Sequence, residues 1–298
     1  MTAHSFTVDE KHHHLRLDVY LTQQLTEVPS RTFVKKLISL GNVKVNDRDV
    51  KVHYLVCKDD QITVDVPETV NEPQTIEPQD ISLNIVYEDQ YLIVVNKPAG
   101  MLVHPALGQY KDTLVNALLH HAKSLSNFNE DLFRPGIVHR LDRETSGLIL
   151  IAKDNITHTK LAKQFNKRTV KKVYVALIEG MPEFDEGVID VPIGPHTKYK
   201  DRQAVRFDDT SKEAKTYYKI LNQYEKSSLI ALYPQTGRTH QLRVHMKYLG
   251  HPILGDDKYG KKTNFHRLAL HAKCIGFQHP QNKSWIEFTT QIPKEFLL

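Results

Sequence analysis

The spacing of apolar residues changes period several times along the chain, and each change marks an element. Leu17, Val19, Tyr20 and Leu21 begin a short helix. Phe33, Val34, Leu37, Ile38 and Leu40 recur at helical spacing behind Ser30, read as the N-cap, and Gly41 stands where a left-handed C-cap residue is wanted. NVKVN, DRDV and KV read as strand, turn and strand, and QITVDV alternates with period two. From Pro67 to Asp80 the pattern stops. That stretch has three prolines, several acids and no periodic apolar set, which predicts an extended linker.

Strands dominate after the linker. LNIVYED, YLIVVNKP, LILIAK, VKKVYVALIEG, AKTYYKILNQY, SLIALYP, RLALHA and SWIEFTT carry strand patterns, while TLVNALLHHAK, ITHTKLAKQFNKR and HQLRVHMKYLG read as helices. The helices do not alternate strictly with the strands, so the fold class is α+β rather than a doubly wound parallel sheet. The expected organisation is a small N-terminal module over residues 1–75 (core 14–75), a linker over 67–82, and a larger domain over 83–298. The larger domain should hold a largely antiparallel central sheet with flanking helices.

Composition narrows the class without choosing a function. Of 298 residues, 40% are hydrophobic and 25% charged, an ordinary globular balance. No apolar run approaches the roughly 20 residues that span a bilayer, and the acid-bearing N-terminus lacks the apolar core of a signal peptide. Cys57 and Cys274 are far apart and outside any Cys-x-x-Cys pair, which argues against a disulfide scaffold or zinc ribbon and for a cytoplasmic protein. The net charge of +5 permits a nucleic-acid partner. Within the first 75 residues the positive charge is local. Arg31, Lys35 and Lys36 share the solvent side of the second helix, and Lys44, Arg48 and Lys51 lie in the hairpin. A solvated face is the ordinary meaning of such residues, yet a local basic patch is also what phosphate binding needs.

The candidate chemistry centres on HRLDRETSGLILIAK, His139 to Lys153. Asp142 lies between Arg140 and Arg143 in a polar loop feeding a buried strand, and nearby cations favour an ionised carboxylate. Beside a sugar ring such a group can attack the anomeric carbon or stabilise positive charge there. From these residues alone, an ion pair capping a strand is the commoner meaning. A catalytic metal has little support, because His240 and His245 are five apart and no His-Glu-x-x-His occurs. Ser146 lacks the Gly-x-Ser-x-Gly elbow of a hydrolase. No Gly-rich loop follows a strand to cradle a nucleotide.

Two resemblances sharpen this picture. RLDVYL, SRTFVKKLISLGNVKVNDRDVKV and DDQITVDVP, in that order, resemble a ribosomal-protein-S-four-type RNA-binding module. HRLDRETSGL resembles the signature of the RluA-type pseudouridine synthases. So do YEDQYLIVVNKPAGMLVHP, KKVYVALIEG, PQTGRTHQLRVHMKYLGHPILGDDKYG and RLALHA, in the same order, together covering residues 83–298. The N-terminal module before such a domain is similar to the RluC and RluD branches. The resemblance implies an isomerase that turns uridine into pseudouridine in structured RNA. Large-subunit ribosomal RNA is the expected substrate and transfer RNA the alternative, with no cofactor, no metal, no membrane and a monomer by default. It implies Asp142 as the essential aspartate, Tyr174 packed against the target base and Arg243 paired with the aspartate. Arg140, Arg238, His240 and Leu270 become substrate-binding candidates. A rival from another class, a non-catalytic RNA-binding or ribosome-assembly protein, would usually have lost the carboxylate, the tyrosine or the arginine.

Overall fold

A computed structural model describes residues 2–25, 31–66, 76–105, 109–122, 124–127, 134–261 and 265–298, without the side chains of Thr2, Thr32 and Lys36. Ser30, the expected N-cap, and most of the expected linker lie outside the described residues. The chain divides into two compact units, Met1–Ile76 and Glu77–Leu298.

The first unit comprises β1 (Thr2–Thr7), α1 (Leu17–Gln24), α2 (Arg31–Ser39), β2 (Val43–Val45), β3 (Arg48–Asp49) and β4 (Gln61–Val66). The strands form an antiparallel sheet ordered β1-β4-β2-β3. Strand β4 buries Ile62, Val64 and Val66 and exposes the residues between, as its alternation predicts. They pack with Leu17, Leu21, Val34 and Leu37 of the two helices. Helix α2 ends in a Schellman motif: Gly41 N–H donates to Ile38 O (3.2 Å), Asn42 N–H to Leu37 O (3.0 Å), and Gly41 has φ +78°. The hairpin turn is shorter than DRDV. Only Asn46 and Asp47 form it, both at positive φ, which their short polar side chains tolerate.

The second unit begins with β5 (Ile85–Glu88), β6 (Leu92–Lys97), α3 (Leu114–His121), β7 (Ser146–Ala152), α4 (Asn155–Asn166) and β8 (Lys171–Glu179). Next come β9 (Glu186–Asp190), β10 (Ile193–Pro195), β11 (Gln203–Val205), β12 (Lys215–Gln223) and β13 (Ser227–Pro234). Helix α5 (Gln241–Tyr248), β14 (Leu270–Gln278) and β15 (Trp285–Thr289) complete the unit. Among the described residues the main sheet runs β5-β6-β7-β14-β8-β13-β12-β9, with β15 paired to β14. All its pairs are antiparallel except β7 with β14. The fold is α+β with a largely antiparallel sheet. Each residue of β7 is buried, which explains why its sequence reads as a continuous apolar run. Helix α3 starts from a capping box of Thr113 and Asn116, and Asp154 caps α4 through Thr157 N–H. The parallel pairing brings the start of β7 beside His271 and Ala272, so the loop before β7 opens next to the first residues of β14.

Candidate active site

Asp142 sits in the loop just before β7. Its neighbours fix the loop from below: Leu141 and Thr145 are buried, and Thr145 N–H donates to Asp142 O (3.1 Å). Lys97, at the end of β6, is fully buried and its ammonium donates to Pro98 O and Met101 O (2.8 Å each) and Arg143 O (3.1 Å). Burial pushes the Lys97 pKa down to about 8, with Glu144 and Asp142 pulling the other way. Arg143 turns away from Asp142. Its Nε donates to Gly100 O (3.0 Å), and Gly100 N–H donates back to Arg143 O (2.9 Å).

The cation beside Asp142 is therefore neither flanking arginine. It is Arg243, from α5, whose Nη1 lies 3.4 Å from Asp142 Oδ2. Adjacency in sequence points to Arg140 and Arg143, but Arg143 is drawn to Gly100 O, and Arg140, which lines the same cavity, makes no ion pair with Asp142 among the described residues. Arg243 is itself clamped. Its Nε and Nη2 donate to the two carboxylate oxygens of buried Asp256 at 2.8 and 2.7 Å. Burial lowers the Arg243 pKa, but the bonds and charges of Asp256 and Asp142 outweigh it, so the guanidinium sits above its ordinary value. Asp256 also accepts the N–H groups of Lys258 (3.0 Å) and Tyr259 (3.1 Å).

His240 approaches the same carboxylate, with Nε2 at 3.9 Å from Asp142 Oδ2. It caps α5 at φ +56°, a left-handed backbone that costs a non-glycine residue. Tyr259 Oη accepts Gln203 N–H (2.8 Å) and lies 2.7 Å from His240 Nδ1. If Tyr259 donates to Nδ1, both groups are satisfied and Nε2–H faces Asp142. Burial lowers the His240 pKa, opposed by Asp142.

Tyr174, on β8, packs against two apolar clusters and faces the same cavity. Burial, then the charge of Asp142, pushes its phenol pKa up, so it stays protonated. His139 stacks on Phe165 (centroids 4.6 Å apart) and accepts Leu150 N–H at Nε2 (2.9 Å). Burial and the charge of Lys172 lower its pKa to about 3, so it is a neutral acceptor.

Asp142, Tyr174, Arg243, Arg140, Arg238, His240 and Leu270 all line one cavity of about 470 Å³. That volume falls within the usual range of small-molecule sites, about 300–1,000 Å³. Arg238 is tethered to Glu213 O (3.0 Å), Arg140 is exposed, and Leu270 is buried at the start of β14. Sequence reasoning missed Asp256, Tyr259, Lys97 and His139. The first two lie within the segment PQTGRTHQLRVHMKYLGHPILGDDKYG, but nothing local signals their pairing with Arg243 and His240. Among the described residues no group of three or more His, Cys, Asp or Glu is placed to hold a metal ion. No helix there is long and apolar enough to cross a membrane.

In the first unit, Arg31 and Lys35 are half-committed to an internal acid. Buried Asp18 receives Arg16 Nε and Arg31 Nη2 at 2.9 Å, with Lys35 Nζ at 3.7 Å. Burial raises the Asp18 pKa, yet the bonds from Arg16 and Arg31 prevail and hold it low. Lys44, Arg48 and Lys51 are exposed and have no ion-pair partner among the described residues. The side chain of Lys36 lies outside the described residues.

A family model described as RNA pseudouridylate synthase matches residues 91–248, and one described as S4 domain matches residues 15–62. An RNA pseudouridine synthase of Bacillus subtilis, YlyB, is 42% identical over 99% of this chain and 96% of its own length. The ribosomal large subunit pseudouridine synthase D of Zymomonas mobilis is 40% identical over 100% of this chain and 96% of its own. The solved human RNA pseudouridylate synthase domain containing 1 superposes with a TM-score of 0.59 at 27% identity, covering 74% of this chain and 86% of the human one. Likeness over whole chains agrees with the motif order and with the acid held in the cavity: the chain belongs to the RNA pseudouridylate synthase family, a pseudouridine synthase that carries an S4 domain.

Proposed function

We propose that this enzyme converts uridine to pseudouridine in large-subunit ribosomal RNA, with Asp142 as its catalytic carboxylate. The observation that carries the catalytic assignment is the pair of Asp142 and Arg243, 3.4 Å apart on the wall of the one cavity that Tyr174 also faces. The ribosomal target rests on the names of relatives at about 40% identity over nearly the whole chain.

A uridine in folded RNA must leave its stack to reach Asp142, at a cost of a few kcal/mol. Tyr174 offers a base a stacking face, typically worth about 1–3 kcal/mol. The bond between uracil N1 and ribose C1′ then breaks. Asp142 can promote this by attack on C1′ or by removing the 2′ proton. Both routes use the carboxylate, and Arg243 and the Nε2 side of His240 face it at 3.4 and 3.9 Å. The freed uracil turns in the cavity and bonds to C1′ through carbon 5. The proton leaving carbon 5 is balanced by one gained at N1, so substrate and product are isomers. In the first unit, Lys44, Arg48 and Lys51, with Arg31 and Lys35 of α2, would hold structured RNA by its phosphates.

The test is pseudouridine mapping of total RNA from cells lacking the protein, complemented with wild type or Asp142→Asn. Loss at uridines of large-subunit ribosomal RNA, restored by wild type alone, is the expected result. A change confined to transfer RNA would overturn the substrate. Restoration by Asp142→Asn would overturn the residue.

A further inference from the structure

The lining of the cavity carries two cations, Arg168 and Lys172, that the chemistry above does not use. Lys172 and Tyr174 stand two apart on β8, so their side chains leave the same face of the strand. Arg168 lies just beyond α4 and lines the same cavity. Neither the Arg168 nor the Lys172 side chain has a hydrogen-bond acceptor or ion-pair partner among the described residues. Asp142 is the only carboxylate among the residues lining the cavity, and it already faces Arg243 and His240.

The backbone at Arg168 adds an independent observation. Arg168 N–H donates to Phe165 O (3.1 Å) and Thr169 N–H to Gln164 O (3.0 Å), so α4 ends in the same Schellman motif as α2. In α2 the left-handed position is filled by Gly41; in α4 it is filled by Arg168 at φ +59°. Glycine takes this conformation freely and arginine does not. The backbone conformation therefore does not account for an arginine at this position. Burial and the charge of Arg168 both push the Lys172 pKa down. An exposed Arg168 and a half-buried Lys172 lining one cavity without an ion-pair partner among the described residues call for an anion from outside.

We infer that Arg168 and Lys172 form a phosphate subsite that grips a backbone phosphodiester of the RNA adjoining the nucleotide in the cavity. This rests on the reading that RNA is the substrate. A phosphodiester suits the pair because it is the anion that necessarily accompanies a nucleotide drawn into this cavity. Arginine and lysine together can offer a planar fork and a point charge to its two free oxygens.

The experiment uses the full chain and an RNA fragment in which wild type makes pseudouridine. Binding is measured across salt concentrations for Arg168→Gly, Lys172→Met, the double variant and Lys172→Arg. Arg168→Gly should hold or raise the melting temperature, because it relieves the left-handed strain, while weakening RNA binding. Each single loss should raise Kd roughly tenfold, in the range of one charge-assisted contact. The double variant should flatten the plot of log affinity against log salt by about 0.7–1. Lys172→Arg should retain most of the affinity. A methylphosphonate next to the target uridine, which removes one backbone charge, should cost wild type as much as the double substitution does and cost the double variant little.

Unchanged affinity and salt slope in the double variant would overturn the subsite. So would a methylphosphonate scan in which every position costs wild type and double variant equally. Competition by inorganic phosphate that vanishes in the double variant, without any methylphosphonate effect, would reassign the pair to a free anion and overturn the backbone assignment. If wild type makes no pseudouridine in any RNA, the underlying activity fails instead, and that outcome is separate from these.

Discussion

Asp256 touches nothing that reacts, yet its removal should disable the site. It accepts two charge-assisted hydrogen bonds from Arg243, at 2.8 and 2.7 Å, and both residues are buried. Asp256→Ala leaves a buried guanidinium without its main partner, a change that typically costs about 3–5 kcal/mol. For a domain of this size each kcal/mol moves the melting temperature by about 2–4 °C, so a drop of about 6–20 °C is expected. Asp256→Asn keeps the shape and should cost less, but it turns an amide N–H₂ toward a guanidinium. With the clamp gone, Arg243 no longer has to stay 3.4 Å from Asp142. A displacement of about 1 Å at such a position can slow turnover about a hundredfold. The assays are thermal unfolding and single-turnover pseudouridine formation, run below the variant's own transition. The double variant Asp256→Asn with Arg243→Met separates the two effects: removing both charges should recover stability and leave activity lost. A melting temperature within about 2 °C of wild type and an unchanged single-turnover rate in Asp256→Ala would refute the clamp.

Gly147→Ala should be among the most damaging single-methyl additions to the chain. Gly147 has φ +113°, and a Cβ there would lie 2.4 Å from Ala272 O, within the parallel pairing that sets Asp142's loop beside β14. A loss of at least about 3 kcal/mol in urea unfolding is expected, and a loss under about 1 kcal/mol would show that the two strands can separate freely. Acid should also weaken the fold through His139. Its folded pKa of about 3 lies below the ordinary 6.5, so below pH 6.5 the unfolded chain takes up a proton that the folded chain refuses. That stability is complete above about pH 6.5 and is lost toward pH 3, on the order of 1 kcal/mol per pH unit. His139→Gln keeps an acceptor for Leu150 N–H and removes the titration, so its stability should fall less steeply between pH 6.5 and 4; equal slopes would remove His139 from the account.

Where one local rule decides a segment, the sequence was readable. TLVNALLHHAK and ITHTKLAKQFNKR read as helices and form α3 and α4, and β7 reads as a strand because both its faces are covered. Strand β1 escaped notice because only Phe6 among its residues is a large apolar one. Strand β9 and the short pair β10–β11 escaped because their residues are half-exposed or too few to show a period. The site followed the same division. Asp142, Tyr174 and Arg243, with the pairing of Arg243 to Asp142, came from ordered motifs, while the residues around Asp142 taken alone named other cations. Sequence adjacency put Arg140 and Arg143 next to it, whereas the tertiary fold brings in Arg243 from 101 positions away. Arg168 and Lys172 stayed hidden for a similar reason. A lysine on a strand and an arginine after a helix look ordinary until the fold sets both in one cavity, without an ion-pair partner among the described residues.

The contrast between the loop and the cavity mouth bears on how the enzyme would meet a polyanion. An ionised Asp142 repels incoming phosphates, and a mobile carboxylate would be pushed away from them. The loop resists that push because its supports are internal: the Lys97 ammonium on three carbonyls, the reciprocal Arg143–Gly100 bonds, and buried Leu141 and Thr145. None of these groups has to move when RNA arrives. Arg140 and Arg168, by contrast, are exposed on the lining of the cavity, with no acid paired to them among the described residues. They can adjust to the backbone while Asp142 keeps its geometry. Fixed charges where bonds change and adjustable ones where the substrate is gathered is the arrangement that electrostatic preorganisation requires. It also accounts for Arg243 being buried and clamped although cations lie closer in sequence: only a guanidinium held by its own carboxylate can stabilise Asp142 without being drawn off to a phosphate.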